Sequence, residues 1–394
     1  MSAQFRRFKL IDKVKESSVI TSFYFKPIDK DPLLPAKPGQ YLTLQIPIGN
    51  NTVLKTYSLS NNVINTNYYR ISVKRESAPL SQPELPDGIG SCWLHDKFHV
   101  DDVINIAPPR GKFTLNETRQ RPVILLSGGV GQTPMLAMLH TLVSTQRDAL
   151  YLHACENGDV HAMHTEVSEL VNKSQGRIRN HVVYANPTEK DKQSNTFDNE
   201  GYIDKALLKS LLPIDDCEVY LCGPPPFMKA MYLILIDLGI PKLSIAYEFF
   251  GNGTPLEALV QDEICLKSSK VAASKAHKSI ANLLFITNPD AWAIKRNPED
   301  RNTTTINPEV GGVVHFARSE VTINWSSENK SLLELAEKNG LAPEYSCRSG
   351  ICNSCKYSLL NGKVEYFEEP LELPSKNELL LCSSRPIGDV VIDL

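Results

Sequence analysis

Apolar and polar positions alternate along most of residues 1–115, which is the pattern of half-buried β-strands. The alternating stretches are residues 5–14, 17–25, 40–46, 56–60 and 68–74. Proline and glycine separate them, as expected for turns between short strands. The pattern predicts an antiparallel β-barrel or sandwich for residues 1–115.

A different pattern begins at Arg121, where short apolar runs alternate with segments of helical spacing. The apolar runs are residues 122–127, 150–154, 182–185, 218–221 and 245–249. The helical segments between them are residues 134–142, 165–173, 204–211 and 226–238. Buried strands alternating with helices are typical of a parallel sheet covered on both faces. We predict a doubly wound α/β domain at residues 116–255.

The C-terminal third has two parts. Residues 256–311 are polar and turn-rich for much of their length, which predicts a long linker. Residues 312–394 begin with a hairpin-like pair, and Ser331 and Glu334 have the spacing of a capping box at the start of a helix. A final strand ends the chain, so this block is expected to be a small α+β domain.

Four cysteines in this last block carry the clearest chemical signal. They are Cys347, Cys352, Cys355 and Cys382. The spacing C-x4-C-x2-C with a distant fourth cysteine is the plant-type 2Fe-2S arrangement. Four thiolates also satisfy a structural zinc ion, but zinc sites usually pair two short cysteine hooks. Three ligands in one loop therefore favour an iron–sulfur centre.

Composition adds limits to this interpretation. A chain of 394 residues is too long for one ordinary core, and its net charge of -3 gives no support to binding of nucleic acid or a membrane surface. No apolar run approaches the roughly 18 residues of a membrane span or forms a signal-peptide core. Nine cysteines without an export signal indicate a reducing compartment, so a cytoplasmic protein is expected.

A glycine-rich segment joins the first apolar run of the α/β region to its helix. Residues 126–134 read LSGGVGQTP, so a pyrophosphate could approach the backbone at a helix N-terminus. The segment is not a G-x-G-x-x-G fingerprint, and an ordinary strand–helix turn is the alternative. Cys222-Gly223-Pro224 follows the fourth run and is expected at the same sheet edge. Cys222 is either a small buried residue or a contact to a nicotinamide.

The β-rich region carries a weaker signal. Lys55-Thr56-Tyr57-Ser58 lies on a predicted strand that follows Gly39-Gln40-Tyr41. A cation, an aromatic ring and a hydroxyl at this spacing could hold a flavin phosphate, cover the isoalloxazine and hydrogen-bond its N5 atom. Tyrosine and serine in strands often serve packing alone.

Together these segments resemble the ferredoxin–NADP⁺ reductase superfamily, and most closely the reductase portion of flavohaemoglobins. The matching stretches are residues 128–139 (GGVGQTPMLAML), 153–161 (HACENGDVH), 221–228 (LCGPPPFM) and 247–251 (YEFFG). No globin sequence precedes residue 1, so haem-based nitric oxide chemistry is not implied. Residues 312–394 are similar to plant-type ferredoxin domains, which implies a β-grasp fold. This domain order resembles the reductase components of multicomponent oxygenases and the NADH reductase of hybrid-cluster protein.

The resemblance implies a role for each matching residue. The flavin would be bound by Tyr41, Lys55, Thr56, Tyr57 and Ser58, with Gly90 and Ser91 as the candidate phosphate turn. The dinucleotide would be bound by Gly129, Val130, Gly131, Gln132, Thr133, Pro134, Cys222, Gly223 and Pro224. The residues around the reacting rings would be Ser58, Cys222, Glu248, Phe249, Phe250 and Gly251, with Ser58, Cys222, Glu248 and Phe250 in the catalytic set. The family usually has arginine where this chain has Lys55, so bidentate phosphate binding is lost.

The choice of cofactors rests on two details. The ending at residues 247–251 favours FAD, with FMN as the alternative found in some reductases of this domain order. Acidic residues near the end of the second parallel strand suit a ribose hydroxyl, and no Arg or Lys lies between Leu150 and Glu169. NADH is therefore favoured over NADPH.

These inferences combine into one hypothesis. NADH passes a hydride to the flavin, which gives up electrons singly to a 2Fe-2S cluster, and the cluster reduces a separate acceptor protein. The alternatives are a redox-responsive regulatory protein and a stand-alone diaphorase. The sequence does not identify the acceptor.

Overall fold

The computed structural model describes residues 5–64, 66–77, 87–194, 196–212, 216–250, 311–327, 329–345, 350, 353–371 and 373–394. The chain divides into two compact units. The first comprises residues 1–253 with the short segments 344–355 and 368–374, and the second comprises residues 254–343, 356–367 and 375–394. Except for Gly311, the predicted linker at residues 256–311 lies outside the described residues.

The N-terminal part of the first unit is a six-stranded antiparallel barrel, which confirms the predicted barrel, although its last strand, Val103–Ile106, lies outside the five predicted stretches. Its strands are β1 (Arg6–Lys15), β2 (Ile20–Pro27), β3 (Tyr41–Ile48), β4 (Asn51–Ser58), β5 (Tyr69–Lys74) and β6 (Val103–Ile106), in the order β4-β3-β6-β1-β2-β5. Alternate residues of β3, namely Leu42, Leu44 and Ile46, are fully buried in the barrel core. A bridge between Leu59 and Ile71 joins the two ends of the sheet and closes the barrel.

One helix in this domain was not predicted. Helix α1 (Ile89–Asp96) lies between β5 and β6. Its first residues, Ile89-Gly90-Ser91, follow glycine and lack an apolar repeat of helical period, so the sequence offered only turn signals there. The helix matters because its N-terminus contributes to the candidate site.

The α/β part has a six-stranded, fully parallel sheet. Its strands are β7 (Val123–Gly128), β8 (Ala149–Cys155), β9 (Ile178–Tyr184), β10 (Asn199–Glu200), β11 (Glu218–Cys222) and β12 (Ile245–Glu248), in the order β10-β9-β8-β7-β11-β12. The helices are α2 (Gln132–Val143), α3 (His164–Lys173), α4 (Glu189–Ser194), α5 (Lys205–Leu211) and α6 (Pro225–Asp237). The strand order reverses between β7 and β11, which is where open α/β sheets bind ligands.

The second unit contains a five-stranded mixed sheet and confirms the predicted α+β character of the last block. Its elements are β13 (Val313–Phe316), β14 (Val321–Asn324), α7 (Leu332–Lys338), β15 (Lys356–Tyr366), β16 (Glu378–Leu380) and β17 (Ser384–Ile392), with the strands in the order β14-β13-β17-β15-β16. Strands β13 and β17 pair in parallel. Ser331 caps α7 by accepting a hydrogen bond from the Glu334 backbone N–H at 3.2 Å. No helix within these described ranges is long and apolar enough to cross a membrane.

A buried ion pair holds β11 to the turn before β8. The Arg147 Nη2 atom lies 2.8 Å from Oε2 of Glu218, and the two side chains are only 2% and 5% exposed. The same guanidinium donates hydrogen bonds to the carbonyl oxygens of Arg121 and Asn116. Removal of the carboxylate would therefore leave a buried charge without its counter-ion.

We predict that Glu218→Gln lowers the free energy of unfolding by about 3 kcal/mol, because breaking a buried pair leaves an uncompensated charge. Urea denaturation of the full chain measures this change. The matched control is Asp216→Asn, which removes the exposed partner of Arg121 and should cost less than about 1 kcal/mol. Equal losses in the two variants would contradict the prediction.

Candidate functional site

Strands β3 and β4 bring the predicted flavin residues onto one hairpin. Tyr41 pairs with Ser58, Leu42 with Tyr57, and Leu44 with Lys55. Because side chains alternate between the two faces of a strand, Lys55 and Tyr57 share one face, and Thr56 and Ser58 share the other. Lys55 and Thr56 are exposed, whereas Ser58 is 5% exposed. The hairpin thus presents an exposed cation and a buried hydroxyl.

The N-terminus of α1 lies against this hairpin. A Cβ atom built on Gly90 would lie 2.7 Å from Cγ of Lys55 and 3.0 Å from the Tyr57 hydroxyl. The Ser91 hydroxyl donates to the Gly88 carbonyl and accepts from the Glu76 backbone N–H, so it holds the turn in shape. A helix N-terminus beside a lysine is suited to an anion such as a flavin phosphate.

The glycine-rich loop lies at the point where the strand order reverses. Gly129 has a φ of +52°, which favours glycine, and its Cβ direction points into open space. A Cβ on Gly131 would lie 2.3 Å from the Cys222 carbonyl oxygen, so the loop and the Cys222–Gly223 backbone are in direct contact. The predicted residues of both segments are therefore brought together at one sheet edge.

Side chains within the loop differ in their accessibility. Gln132 is 1% exposed, and neither polar atom of its amide has a partner among the described residues. The Thr133 hydroxyl donates to the Val130 carbonyl at 3.2 Å, and Pro134 is buried. Gly129 and Val130 keep partial exposure. A dinucleotide fits this arrangement, since it can approach the exposed backbone and an unsatisfied buried amide is available nearby.

The C-terminal ends of strands β11 and β12 lie beside the hydroxyl of Ser58 from the barrel. Cys222 and Glu248 are paired residues on β11 and β12. The Ser58 hydroxyl donates to Oε2 of Glu248 over 3.4 Å. The structure thus brings together three of the four residues predicted to surround the reacting rings: Ser58, Cys222 and Glu248.

The electrostatics of this cluster favour neutral groups. Burial raises the pKa of the Glu248 carboxyl to about 8, although the Ser58 hydrogen bond opposes the shift. Burial and the neighbouring Glu248 also raise the pKa of the Cys222 thiol. At neutral pH the protein therefore holds a protonated carboxyl and a protonated thiol here, so the pocket carries no net charge.

Aromatic residues follow Glu248 at the end of β12. Phe250 is 40% exposed, and Phe249 packs edge-on against Tyr247 with ring centroids 5.7 Å apart. Gly251, the last residue of the predicted set, lies outside the described residues. Phe250 is thus available to cover a bound ring, as the sequence predicts for that position.

The sequence reasoning missed a buried histidine group beside the loop. The hydroxyl of Ser127, the residue before Gly128, lies 2.7 Å from Nδ1 of His153 and donates a hydrogen bond to the Tyr151 hydroxyl at 3.0 Å. Burial lowers the pKa of His153, so the ring is neutral. A histidine at the carboxyl end of a buried strand was the available signal, since that edge is where ligands bind.

Glu156 lies at the end of the second parallel strand, where an acidic residue is expected to accept a hydrogen bond from a ribose hydroxyl. It follows β8, is exposed, and accepts a hydrogen bond from the Asn186 side-chain amide at 2.5 Å. That contact orients the carboxylate at the sheet edge. It therefore supports the acidic character that the sequence predicted there.

Two of the four candidate metal ligands lie in described residues. Cys355 is 2% exposed and directly precedes β15, and Cys382 is 4% exposed in the turn between β16 and β17. Cys347 and Cys352 lie outside the described residues. The hydroxyl of Ser383, beside Cys382, is buried and has no partner within the described part of the chain. An unused donor next to a buried thiol fits a cluster whose sulfurs accept hydrogen bonds.

A stretch of the C-terminal block belongs to the first compact unit. Leu371 is fully buried there and shares an apolar cluster with Ala107, Tyr41 and Leu54. Its backbone N–H donates to the Gly350 carbonyl at 2.9 Å, and Gly350 lies in the cysteine loop. Leu371, which is hydrogen-bonded to Gly350 of the cysteine loop, therefore packs in the same cluster as the predicted flavin residue Tyr41.

Comparison with family models agrees with this geometry. Residues 7–115 match an oxidoreductase FAD-binding domain, residues 125–232 an oxidoreductase NAD-binding domain, and residues 314–386 a 2Fe-2S iron-sulfur cluster binding domain. The flavin, nicotinamide and iron–sulfur predictions are confirmed at this level. The chain is therefore an oxidoreductase that combines these three kinds of domain.

Relatives place the chain more narrowly. The flavohaemoprotein of Bacillus thuringiensis subsp. konkukian is 42% identical over 257 residues, which is 64% of this chain and 62% of the relative. The chain thus spans about 62% of the length of that relative. The flavohaem-like FAD/NAD-binding domain of nitric oxide dioxygenase from Vibrio cholerae is 35% identical with a TM-score of 0.56, covering 62% of this chain and 98% of that one. The chain belongs to this family of FAD- and NAD-binding reductases.

The whole length of the chain has a structural counterpart. Phthalate dioxygenase reductase covers 99% of this chain and 98% of its own, with 23% identity and a TM-score of 0.52. That structure is described as modular, for electron transfer from pyridine nucleotides to 2Fe-2S. The likeness shows a shared fold across all three domains.

We expect Gly131→Ala to weaken NADH binding by about tenfold, or ~1.4 kcal/mol. The added Cβ would collide with the Cys222 carbonyl and push the loop away from the sheet edge. Fluorescence titration with NADH measures the dissociation constant. In the control Gly176→Asn, the φ of +88° and the open surroundings tolerate asparagine, so affinity should stay unchanged. Unchanged affinity in Gly131→Ala would argue against a nucleotide at this loop.

We expect the rate constant of flavin reduction by NADH to be level below pH 7 and to fall above it, with a midpoint near the Glu248 pKa of about 8. The raised pKa keeps the carboxyl protonated at lower pH, and the carboxylate that forms at higher pH opposes negative charge on the nearby ring. Stopped-flow absorbance between pH 6 and 10 measures this profile. Glu248→Gln should remove the inflection and Glu156→Gln should keep it. An inflection that persists in Glu248→Gln would refute the assignment.

Proposed function

We propose that this chain is an NADH-dependent reductase that delivers electrons from NADH, through FAD and a 2Fe-2S centre, to a separate acceptor protein. The observation that carries the proposal is the contact of Ser58 with Glu248 beside Cys222. A flavin-side hydroxyl and the nicotinamide-side sheet edge meet there. Such a meeting is what direct electron transfer between a flavin and a nicotinamide requires.

The barrel residues fit a flavin. Lys55 and the α1 N-terminus at Gly90 would hold its phosphate, Tyr41 and Tyr57 would line its ring system, and Ser58 would contact the reactive edge. Lysine supplies a point charge rather than a planar fork, so the helix N-terminus would carry more of the phosphate binding than in relatives with arginine. Thr56 and Ser91 would support this hairpin and turn.

The α/β residues fit a dinucleotide, with NADH preferred over NADPH. Gly129 and Val130 offer backbone to the pyrophosphate, and Gly131 permits the close packing beneath. Glu156 is held at the sheet edge by Asn186. A carboxylate there would accept from a ribose hydroxyl and repel a 2′-phosphate.

The cysteine set fits an iron–sulfur centre. Cys347, Cys352, Cys355 and Cys382 would be its ligands, and Ser383 would donate to a cluster sulfur. Bound FAD would take up two electrons and release them singly, and the 2Fe-2S centre would carry one at a time. The protein contributes the neutral Cys222–Glu248 pocket, which excludes charge from the place where the two rings meet.

The acceptor that the comparisons favour is an oxygenase component. Phthalate dioxygenase reductase and a type IV self-sufficient cytochrome P450 monooxygenase both cover 99% of this chain. The names of these two proteins are those of an oxygenase reductase and a monooxygenase, which supports an oxygenase as the acceptor in this proposal. A hybrid-cluster protein is the second candidate, because the domain order also resembles that of the NADH reductase of hybrid-cluster protein. Redox-responsive regulation and stand-alone diaphorase activity are the competing functions.

The proposal predicts the outcome of an anaerobic titration of the loaded, full-length protein. NADH should bleach the flavin absorbance and generate the electron paramagnetic resonance signal of a reduced 2Fe-2S centre. Reduction by NADPH should be slower by about tenfold or more, because Glu156 repels its extra phosphate.

A ligand variant tests the cysteine set. In Cys355→Ala, flavin bleaching should survive and the resonance signal should be lost, so a persistent signal would remove Cys355 from the ligand set.

Two further results would contradict the proposed function. Flavin bleaching without a cluster signal, in wild-type protein with full iron content, would favour a diaphorase. If the flavin and the 2Fe-2S centre are both reduced by NADH but no electrons pass to an acceptor such as cytochrome c, a regulatory function would be favoured.

A further inference from the structure

A largely buried ion pair connects the barrel to the α/β part of the first unit. Arg70 lies on β5 and Glu166 on α3, 96 residues apart in sequence. The Nη1–Oε2 and Nη2–Oε1 distances are 2.8 Å and 2.9 Å, so the pair is bidentate. The side chains are 6% and 26% exposed. Bidentate pairing fixes orientation as well as distance.

The barrel end of this pair is anchored beside the flavin hairpin. The Arg70 guanidinium donates to the carbonyl oxygen of Ser60 and, through Nε, to the Ser60 hydroxyl at 3.2 Å. It also lies over the Tyr24 ring, 5.7 Å from its centroid. Ser60 is two residues beyond Ser58. A displacement of Arg70 is therefore transmitted to the segment that carries the reactive-edge hydroxyl.

The α/β end is anchored to the helix that begins at the glycine loop. Oε1 of Glu166 accepts a hydrogen bond from Nε2 of His140 at 2.6 Å. His140 lies on α2, and α2 starts directly after Gly129–Gly131. Burial would raise the pKa of Glu166, but the hydrogen bonds from His140 and Arg70 and the arginine charge lower it to about 2. The carboxylate is therefore ionised throughout the physiological range.

Apolar packing alone would not fix this joint. Ile20 and Phe113, which precede the parallel sheet, are buried in the same core as Leu136 and Leu139 of α2. Such contacts are non-directional and permit small rotations. A directional buried pair restricts those rotations, and in enzymes a misplacement of about 1 Å can cost roughly 100-fold in rate.

We propose that Arg70, Glu166 and His140 are positioning residues, which set the placement of the Ser58 segment relative to the Gly129–Gly131 loop and so control the rate of electron transfer between the two bound rings. The proposal rests on the proposed function, because it assigns the rings to these two segments. The three residues would act through the segments that they hold.

The test uses Glu166→Gln in the loaded, full-length chain. Stopped-flow reduction at saturating NADH should slow by about tenfold or more, while the NADH dissociation constant changes less than about threefold and flavin content is unchanged. Arg70→Lys keeps the charge and loses the fork, so its rate should lie between wild type and Glu166→Gln.

A structural readout accompanies the kinetics. Hydrogen–deuterium exchange should increase at residues 58–61 and at the start of α3 in Glu166→Gln, in the absence of NADH. The matched control is Glu169→Gln on the same helix, whose carboxylate is exposed and pairs only with exposed Lys173 in the described structure. Its exchange and its rate should equal those of wild type.

The outcomes separate the two proposals. Wild-type reduction rates in Glu166→Gln would overturn the positioning role, and so would a lowered melting temperature with an unchanged rate, which indicates a purely structural pair. If NADH fails to reduce even the wild-type protein, the proposed function fails. The exchange measurement then still decides whether the pair couples the two segments.

Discussion

The close approach of two backbone segments is the constraint on which the site depends. Gly131 and the Cys222 carbonyl leave no room for a side chain between them. This contact aligns the carboxyl ends of β7 and β11 where the strand order reverses. The glycine loop, the thiol of Cys222 and the carboxyl of Glu248 therefore share one edge of the sheet. Ser58 approaches this edge from the barrel, and the contact between Gly131 and Cys222 does not fix the position of the barrel.

Two carboxyl groups of the first unit show how hydrogen-bonding partners decide the effect of burial on a pKa. Both Glu248 and Glu166 lose water, which by itself raises a carboxyl pKa. Glu248 has only a hydroxyl partner, and its pKa rises to about 8. Glu166 has a guanidinium and an imidazole N–H, and its pKa falls to about 2. The first unit thus holds a neutral carboxyl beside Ser58 and Cys222, and it holds a charged carboxylate in the ion pair that joins α3 to the barrel.

The sequence predicted those features that depend on local patterns. Alternation predicted five of the six barrel strands, apolar runs predicted five of the six parallel strands, and Ser331 with Glu334 predicted the cap of α7. The loop and the Cys222 turn were placed at one edge because parallel strands end together. Helix α1 was missed because glycines conceal its period. The Arg70–Glu166 pair was missed for a different reason: nothing in either neighbourhood specifies a partner 96 residues away.

The wide sequence separation of the Ser58–Glu248 contact, 190 residues, has a consequence for biosynthesis. The barrel is fully translated by residue 115, yet its hydroxyl acquires the carboxyl partner only after β12 has been made. Parallel sheets are rich in such long-range contacts, which form slowly because loop closure precedes their stabilisation. On a nascent chain, the Ser58 face of the barrel therefore stays open until β12 has been made.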